Sequence, residues 1–179
     1  MIMGANKNLK TFGKAMLIIA VCFFIFMQIV PSINNSSPKF SKSSSKNTFE
    51  PTFLKEGIGY FSNELGDTIA EFQIELAESN KEIQIGMMWR KSMSKDMGML
   101  FLMPEEKIQS FWMKNTYIPL DIIYINSERR VVSIIDNAKP MSENPLPSSE
   151  PANFILEVSG GTCAKLGIQP GNLWRWKRN

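Results

Sequence analysis

The chain has 179 residues, enough for one ordinary domain with accessory segments. Its net charge of +3 is unevenly distributed. Residues 1–47 hold six lysines and no acidic residue, and the rest of the chain holds the other 14 of the 20 basic residues and all 17 acidic ones. The folded part therefore lacks the basic excess of a nucleic-acid-binding surface, and we expect no nucleic-acid partner.

The content of metal-binding and nucleophilic side chains is low. The sequence has no histidine, and its two cysteines are Cys22, inside an apolar run, and Cys163. This excludes zinc sites of the usual Cys/His spacing and any Ser-His or Cys-His nucleophile pair. We therefore expect no metal and no cofactor, and we expect Cys163 to be a buried, inert thiol.

Residues 1–30 are predicted to be a signal peptide or a signal anchor. Three lysines precede an apolar run over residues 15–30, and the run is shorter than the ~20 residues that span a bilayer comfortably. Because the lysines resist crossing the membrane, the C-terminal part should be exported to a periplasmic or other extracytoplasmic space. If the segment is not cleaved, residues 15–30 anchor the chain in the cytoplasmic membrane.

Residues 31–49 are rich in serine, lysine and proline. Such a stretch buries too little apolar surface to order itself, so it is predicted to be a disordered tether.

Residues 50–179 are predicted to form one globular domain made mostly of short strands. Apolar residues alternate with polar ones in several segments, which is typical of half-buried strands. Ser79 followed by Glu82 matches a capping box and predicts a helix over residues 80–89. The predicted strands cover residues 57–62, 68–77, 98–103, 110–114, 121–126, 131–136, 153–159 and 172–177, with a second short helix at 163–166.

The fold class expected from these elements is mainly β (α+β). We predict a compact, barrel-like β domain of six to eight short strands with one or two short helices. A proline-rich loop is expected at residues 139–151.

Several linked motifs resemble one bacterial and archaeal family. Phe-Trp-Met-Lys-Asn-Thr at residues 111–116 is followed by Ile-Pro-Leu-Asp at 118–121, and Gly-Met-Leu-Phe stands at 98–101. Together with Gly-Met-Met-x-Arg at 86–90 and Leu-Glu at 156–157, this pattern is similar to the uncharacterised family called domain of unknown function 192. The resemblance covers roughly residues 68–173. It implies a small β-rich domain, often exported, and it implies no activity.

The candidate ligand-binding residues are Arg90, Trp112, Lys114, Asn115, Asp121 and Glu157. An indole supplies a stacking face, and the two cations would bind an anionic group. Asn115, Asp121 and Glu157 would orient hydroxyls or amides. Structural alternatives stand beside these roles: Trp112 packs under the proline-rich loop, Asn115 forms a turn, and Asp121 caps local amides or pairs with Arg90.

Three functions follow as hypotheses. The first is a non-catalytic domain that binds a small ligand or a component of the cell envelope. The second is an envelope hydrolase that uses Asp121 and Glu157, which requires the two carboxylates to converge. The third is Cu(I) binding by the methionines that crowd residues 87–113, with the plain alternative that they fill the core.

Overall fold

The computed structural model describes residues 50–179, and the predicted signal segment and tether lie outside these residues. Within residues 50–179, neither helix is long and apolar enough to cross a membrane. The strands are β1 (Gly57–Ser62), β2 (Thr68–Ala77), β3 (Met97–Lys107), β4 (Ser110–Phe111), β5 (Leu120–Ile125), β6 (Val131–Ala138), β7 (Leu146–Pro147), β8 (Ala152–Ser159) and β9 (Leu173–Arg178). The helices are α1 (Asn80–Ile85) and α2 (Thr162–Leu166).

Seven strands form one sheet in the order β6-β5-β8-β3-β2-β1-β9, and β4 pairs with β7 in a separate two-stranded ribbon. Strands β2 and β3 are parallel, and α1 lies in the connection between them. All other neighbours in the sheet are antiparallel. The predicted mainly β fold is confirmed.

The two edges of the sheet meet at one end. Arg130 and Leu173 form an isolated bridge, and the Val131 amide donates to the Asn172 carbonyl at 2.9 Å. The contact does not extend into a ladder between β6 and β9. The sheet therefore curls strongly, in keeping with a barrel-like domain, but it is not a closed barrel.

Both faces of the sheet are buried. Because side chains alternate along a strand, each central strand contributes to two apolar clusters. One face, called the first face, is lined by residues such as Phe72, Leu156 and Trp174 together with Cys163 of α2. The second face carries Met99, Tyr124 and Ile155 and is packed against Met87 and Met113, which belong to the connections after α1 and β4. Every residue of β5 is buried as a result.

Two predicted elements are shorter than expected, each because a residue adopts a positive φ angle. The capping box at Ser79 is confirmed, but the helix ends at Ile85, where Gly86 has φ 47° and donates to the Glu82 carbonyl at 2.7 Å. The strand predicted over residues 110–114 stops at Phe111. A turn follows in which Asn115 has φ 54° and the Thr116 amide donates to the Met113 carbonyl.

Candidate functional site

A row of side chains crosses the second face of the sheet on four neighbouring strands. Glu75 on β2 stands opposite Met99 on β3, Met99 stands opposite Glu157 on β8, and Glu157 stands opposite Ile122 on β5. Neighbouring strands lie ~4.8 Å apart, so the two glutamates stand within reach of one long cationic side chain. The register thus places two carboxyl groups in an otherwise apolar layer.

Arg90 is that cationic side chain. It follows α1 and is 6% exposed, and its Nη2 lies 2.8 Å from Glu75 Oε1. Its Nε is buried and has no hydrogen-bond partner within residues 50–179. Of the two structural alternatives for Asp121, the pair with Arg90 is wrong, because Arg90 pairs with Glu75, which was not among the candidate residues.

Glu157 is the unusual group of this row. The residue is 4% exposed, and its carboxyl makes no hydrogen bond with the other residues that the structure describes, although its oxygens are not fully enclosed. Burial raises the pKa of Glu157 to about 8, and the nearby Arg90 guanidinium opposes part of this rise. At neutral pH the free site therefore holds a neutral carboxylic acid, which can donate one hydrogen bond and accept others.

Glu157 opens onto a cavity of about 140 Å³, called here the Glu157 cavity. The end of α1 and the turn after it form one side, β3 forms the floor together with Glu157, and the segment from Gln109 to Thr116 forms the other side. The walls are mostly apolar, with three methionines and several aromatic rings. Lining residues include Ile83, Met87, Met88, Phe101, Met103, Phe111, Trp112, Lys114 and Thr116.

Trp112 and Lys114 stand at the rim of this cavity. Trp112 is 44% exposed and lines a shallow cleft with Glu143 and Pro145 of the proline-rich loop, so the loop lies beside the indole without burying it. Lys114 Nζ lies 5.0 Å from the centroid of the Trp112 ring and 3.4 Å from Glu143 Oε2. The rim therefore presents an accessible indole face that already holds one ammonium group.

Asn115 supports the cavity without lining it. Its carbonyl accepts a hydrogen bond from the Trp89 amide at 2.8 Å, and its Nδ2 lies 3.8 Å from Met88 Sδ. The turn at Asn115 is thereby fastened to the segment after α1. The structural alternative for Asn115, a turn former, describes what the residue does here.

Asp121 lies on the first face, and it is fully buried. Its Oδ1 accepts from the amides of Asn137 and Gly161 at 2.7 and 2.9 Å, and its Oδ2 accepts from the Cys163 amide at 2.8 Å. These bonds fasten the end of β6 and the start of α2 to β5. Asp121 is a structural clamp, as the amide-capping alternative supposed.

Asp121 and Glu157 point to opposite faces of the sheet. In the pairing of β5 with β8, Asp121 stands opposite Val158, and its neighbour Ile122 stands opposite Glu157. Neighbouring positions of a strand face opposite ways, so the two carboxylates cannot meet over one substrate. The hydrolase hypothesis required the two carboxylates to converge on one cleft, and they do not.

Cys163 lies beside Asp121 rather than at the cavity. Side-chain ligand atoms of Asp121, Asp136 and Cys163 fall within 4.8 Å of one another. However, both Asp121 oxygens already accept backbone hydrogen bonds, and burial followed by the negative charge of Asp121 raises the pKa of the Cys163 thiol. The thiol therefore stays protonated and inert at neutral pH.

The methionines of residues 87–113 occupy three different places. Met87, Met88 and Met103 line the Glu157 cavity, Met93 and Met97 line a second cleft beside Arg90, and Met99 and Met113 are core residues. This distribution is typical of flexible side chains that fill irregular gaps.

A family model matches most of the chain. Residues 61–176 match the model of DUF192, the domain of unknown function 192, described as an uncharacterized ACR family. The chain belongs to this family. No curated protein matches the chain.

Two solved structures are similar to the described domain. A protein of unknown function from Novosphingobium aromaticivorans DSM 12444 is 39% identical, with a TM-score of 0.63 over 66% of this chain and 84% of that chain. A protein from Sinorhizobium meliloti 1021, assigned provisionally as a transcription regulator, is 36% identical, with a TM-score of 0.65 over 71% of this chain and 97% of that chain.

Proposed function

We propose that the described domain is a non-catalytic binding domain and that a small ligand occupies the Glu157 cavity. The observation that carries the proposal is the carboxyl group of Glu157, which lines a mostly apolar cavity and makes no hydrogen bond with another residue of the described part of the chain. Burying a polar group without a hydrogen-bond partner costs free energy, and a ligand that supplies the partner recovers it. Trp112 adds an accessible aromatic face at the entrance.

The side chains around the cavity support binding rather than catalysis. In the row of side chains that contains Glu157, the other carboxylate is Glu75, and Glu75 is paired with Arg90. The sequence has no histidine to act as a base, and the described thiol, Cys163, lies in the core of the first face. A lone acid beside a stacking face is suited to orienting a ligand.

We further propose that the domain works outside the cytoplasm. The lysine-flanked apolar run at residues 15–30 supports export and, if it stays uncleaved, attachment to the cytoplasmic membrane. In that setting the ligand would be a small molecule or a component of the cell envelope.

Changing Trp112 to alanine tests the proposal. Because Trp112 is 44% exposed, we expect the free energy of unfolding to fall by about 1 kcal/mol or less, whereas a buried tryptophan would lose about 3–5 kcal/mol. Loss of the indole should weaken ligand binding by at least about tenfold. Native mass spectrometry of the purified full chain would show a bound small molecule in the wild type and little in the variant.

Trp89→Ala is the matched control, because Trp89 is similarly exposed at 38% and does not line the cavity. It should retain the bound molecule. A Trp112→Ala variant that unfolds, or that retains the molecule as well as Trp89→Ala does, would show that the cavity is not the binding site.

A further inference from the structure

We propose that the Glu157 cavity takes an ammonium-bearing ligand, a small alkylated amine whose cation lies between the Glu157 carboxylate and the aromatic rings of the cavity. This inference rests on the proposed binding function and names the chemical class of its ligand.

The first support is the balance of charge around the cavity. Within the described residues, Arg90 pairs with Glu75 at 2.8 Å and Lys114 pairs with Glu143 at 3.4 Å. These two pairs are electrically neutral, so an ionised Glu157 has to share the Arg90 guanidinium with Glu75 and leaves this group of charges with one negative charge in excess. A ligand that satisfies an ionised Glu157 must therefore bring one positive charge.

The second support is the chemistry of the walls. The rings of Phe101 and Phe111 are 4.9 Å apart in an edge-to-face arrangement, and Trp112 stands next to them at the rim. The negative faces of aromatic rings attract ammonium groups, and methionine sulfur is polarisable. The chain supplies an example of this attraction, because the Lys114 ammonium already lies 5.0 Å from the Trp112 centroid.

The third support is size. A cavity of about 140 Å³ is close to the ~150 Å³ cavity that accepts a benzene molecule. A methylated ammonium head is compact enough for such a space, whereas a sugar ring with its hydroxyl groups would leave many polar atoms against apolar walls. The rest of a longer ligand would extend past Trp112 into solvent.

The proton on Glu157 determines how the affinity for the ligand should change with pH. The groups around this carboxyl are Arg90 after α1, its partner Glu75 on β2, Tyr124 on β5, and Lys114 with Glu143 at the rim. With a free-site pKa of about 8, Glu157 must release a proton to pair with an ammonium at neutral pH. Affinity for a cation should therefore rise with pH up to about 8, whereas affinity for a neutral hydrogen-bond acceptor should fall.

The test compares choline with its uncharged carbon isostere, 3,3-dimethylbutan-1-ol, by titration calorimetry on the full chain between pH 6 and pH 8. We expect choline to bind at least about tenfold tighter at pH 8, with an affinity that rises by up to about tenfold per pH unit below that. Titrations in two buffers of different ionisation enthalpy should show a proton released on binding.

Glu157→Gln should abolish both the preference for choline and its pH dependence, and the exposed Glu71→Gln should change neither. Equal or tighter binding of the neutral isostere, or affinity for choline that falls as pH rises, would overturn the ammonium assignment and leave the proposed binding function intact. Absence of choline binding would also overturn the assignment, and the Trp112→Ala comparison would then decide separately whether the cavity binds anything.

Discussion

Replacing Arg90 by alanine should lower the free energy of unfolding by about 3–5 kcal/mol, because it removes one partner from a buried ion pair. The side chains of Arg90 and Glu75 are only 7% and 15% exposed, and their atoms are 2.8 Å apart. Without the guanidinium, Glu75 keeps a poorly solvated charge, and the pKa of Glu157 rises further because the opposing field of Arg90 is lost. Urea unfolding followed by circular dichroism would measure the loss.

Arg178→Ala is the matched control for this measurement. Arg178 and Glu78 form a pair of similar length, 2.7 Å, but their side chains are 55% and 44% exposed. Solvent screens such a pair, and its removal should cost less than about 1 kcal/mol. If Arg90→Ala costs no more than Arg178→Ala, the ion pair of Arg90 with Glu75 does not stabilise the domain as a buried pair should.

The stability of the protein should decrease as pH rises from about 4.5 to about 8. Glu157 has its pKa raised from 4.5 to about 8 in the folded state, so in this range the folded chain keeps a proton that the unfolded chain has released. One retained proton gives a slope of about 1.4 kcal/mol per pH unit. The loss of stability is complete above the pKa of Glu157 in the folded state, about 8, and it is absent below the pKa in the unfolded state, 4.5.

Two features make this slope measurable. The chain has no histidine, the side chain that ordinarily titrates between pH 5 and 8. The other shifted groups titrate outside this range. The pKa of Glu82 is lowered by its capping hydrogen bonds, the pKa values of Tyr124 and Cys163 are raised from alkaline starting points, and the pKa of Arg129 is lowered by burial from a strongly alkaline one. Glu157→Gln should remove the slope, whereas Glu71→Gln should keep it. A wild-type curve that is flat between pH 5 and 8 would mean that Glu157 is ionised in the folded protein.

The sequence predicted the strands well where one pattern decides the structure. The bounds of β1 and β2 follow from alternation, and the capping box at Ser79 marks the start of α1. The errors occur where the backbone turns at a residue with positive φ, at Gly86 and Asn115, because a non-periodic turn leaves little trace in an apolar pattern.

The candidate site was predicted in part. Trp112, Lys114 and Glu157 line one cavity. They could be selected from the sequence because the first two belong to the family-like motif and the third is an acid within an apolar strand. Asp121 was expected at the same site, but it lies on the opposite face of the sheet, because neighbouring residues of β5 point to opposite sides. Glu75 was missed because it occupies a polar position of the alternating pattern in β2, which is typical of a residue that faces solvent. Its burial comes from the segment after α1, which packs on the second face.

The measurement that tests the central claim most directly is methyl NMR of the methionines in the full chain, recorded with and without the small molecule recovered from the purified protein. If the Glu157 cavity is the binding site, the methyl signals of Met87, Met88 and Met103 should shift, because these residues line it. Those of Met93 and Met97, which line the separate cleft beside Arg90, should stay in place. Shifts confined to Met93 and Met97 would contradict the account and move the site to the other cleft.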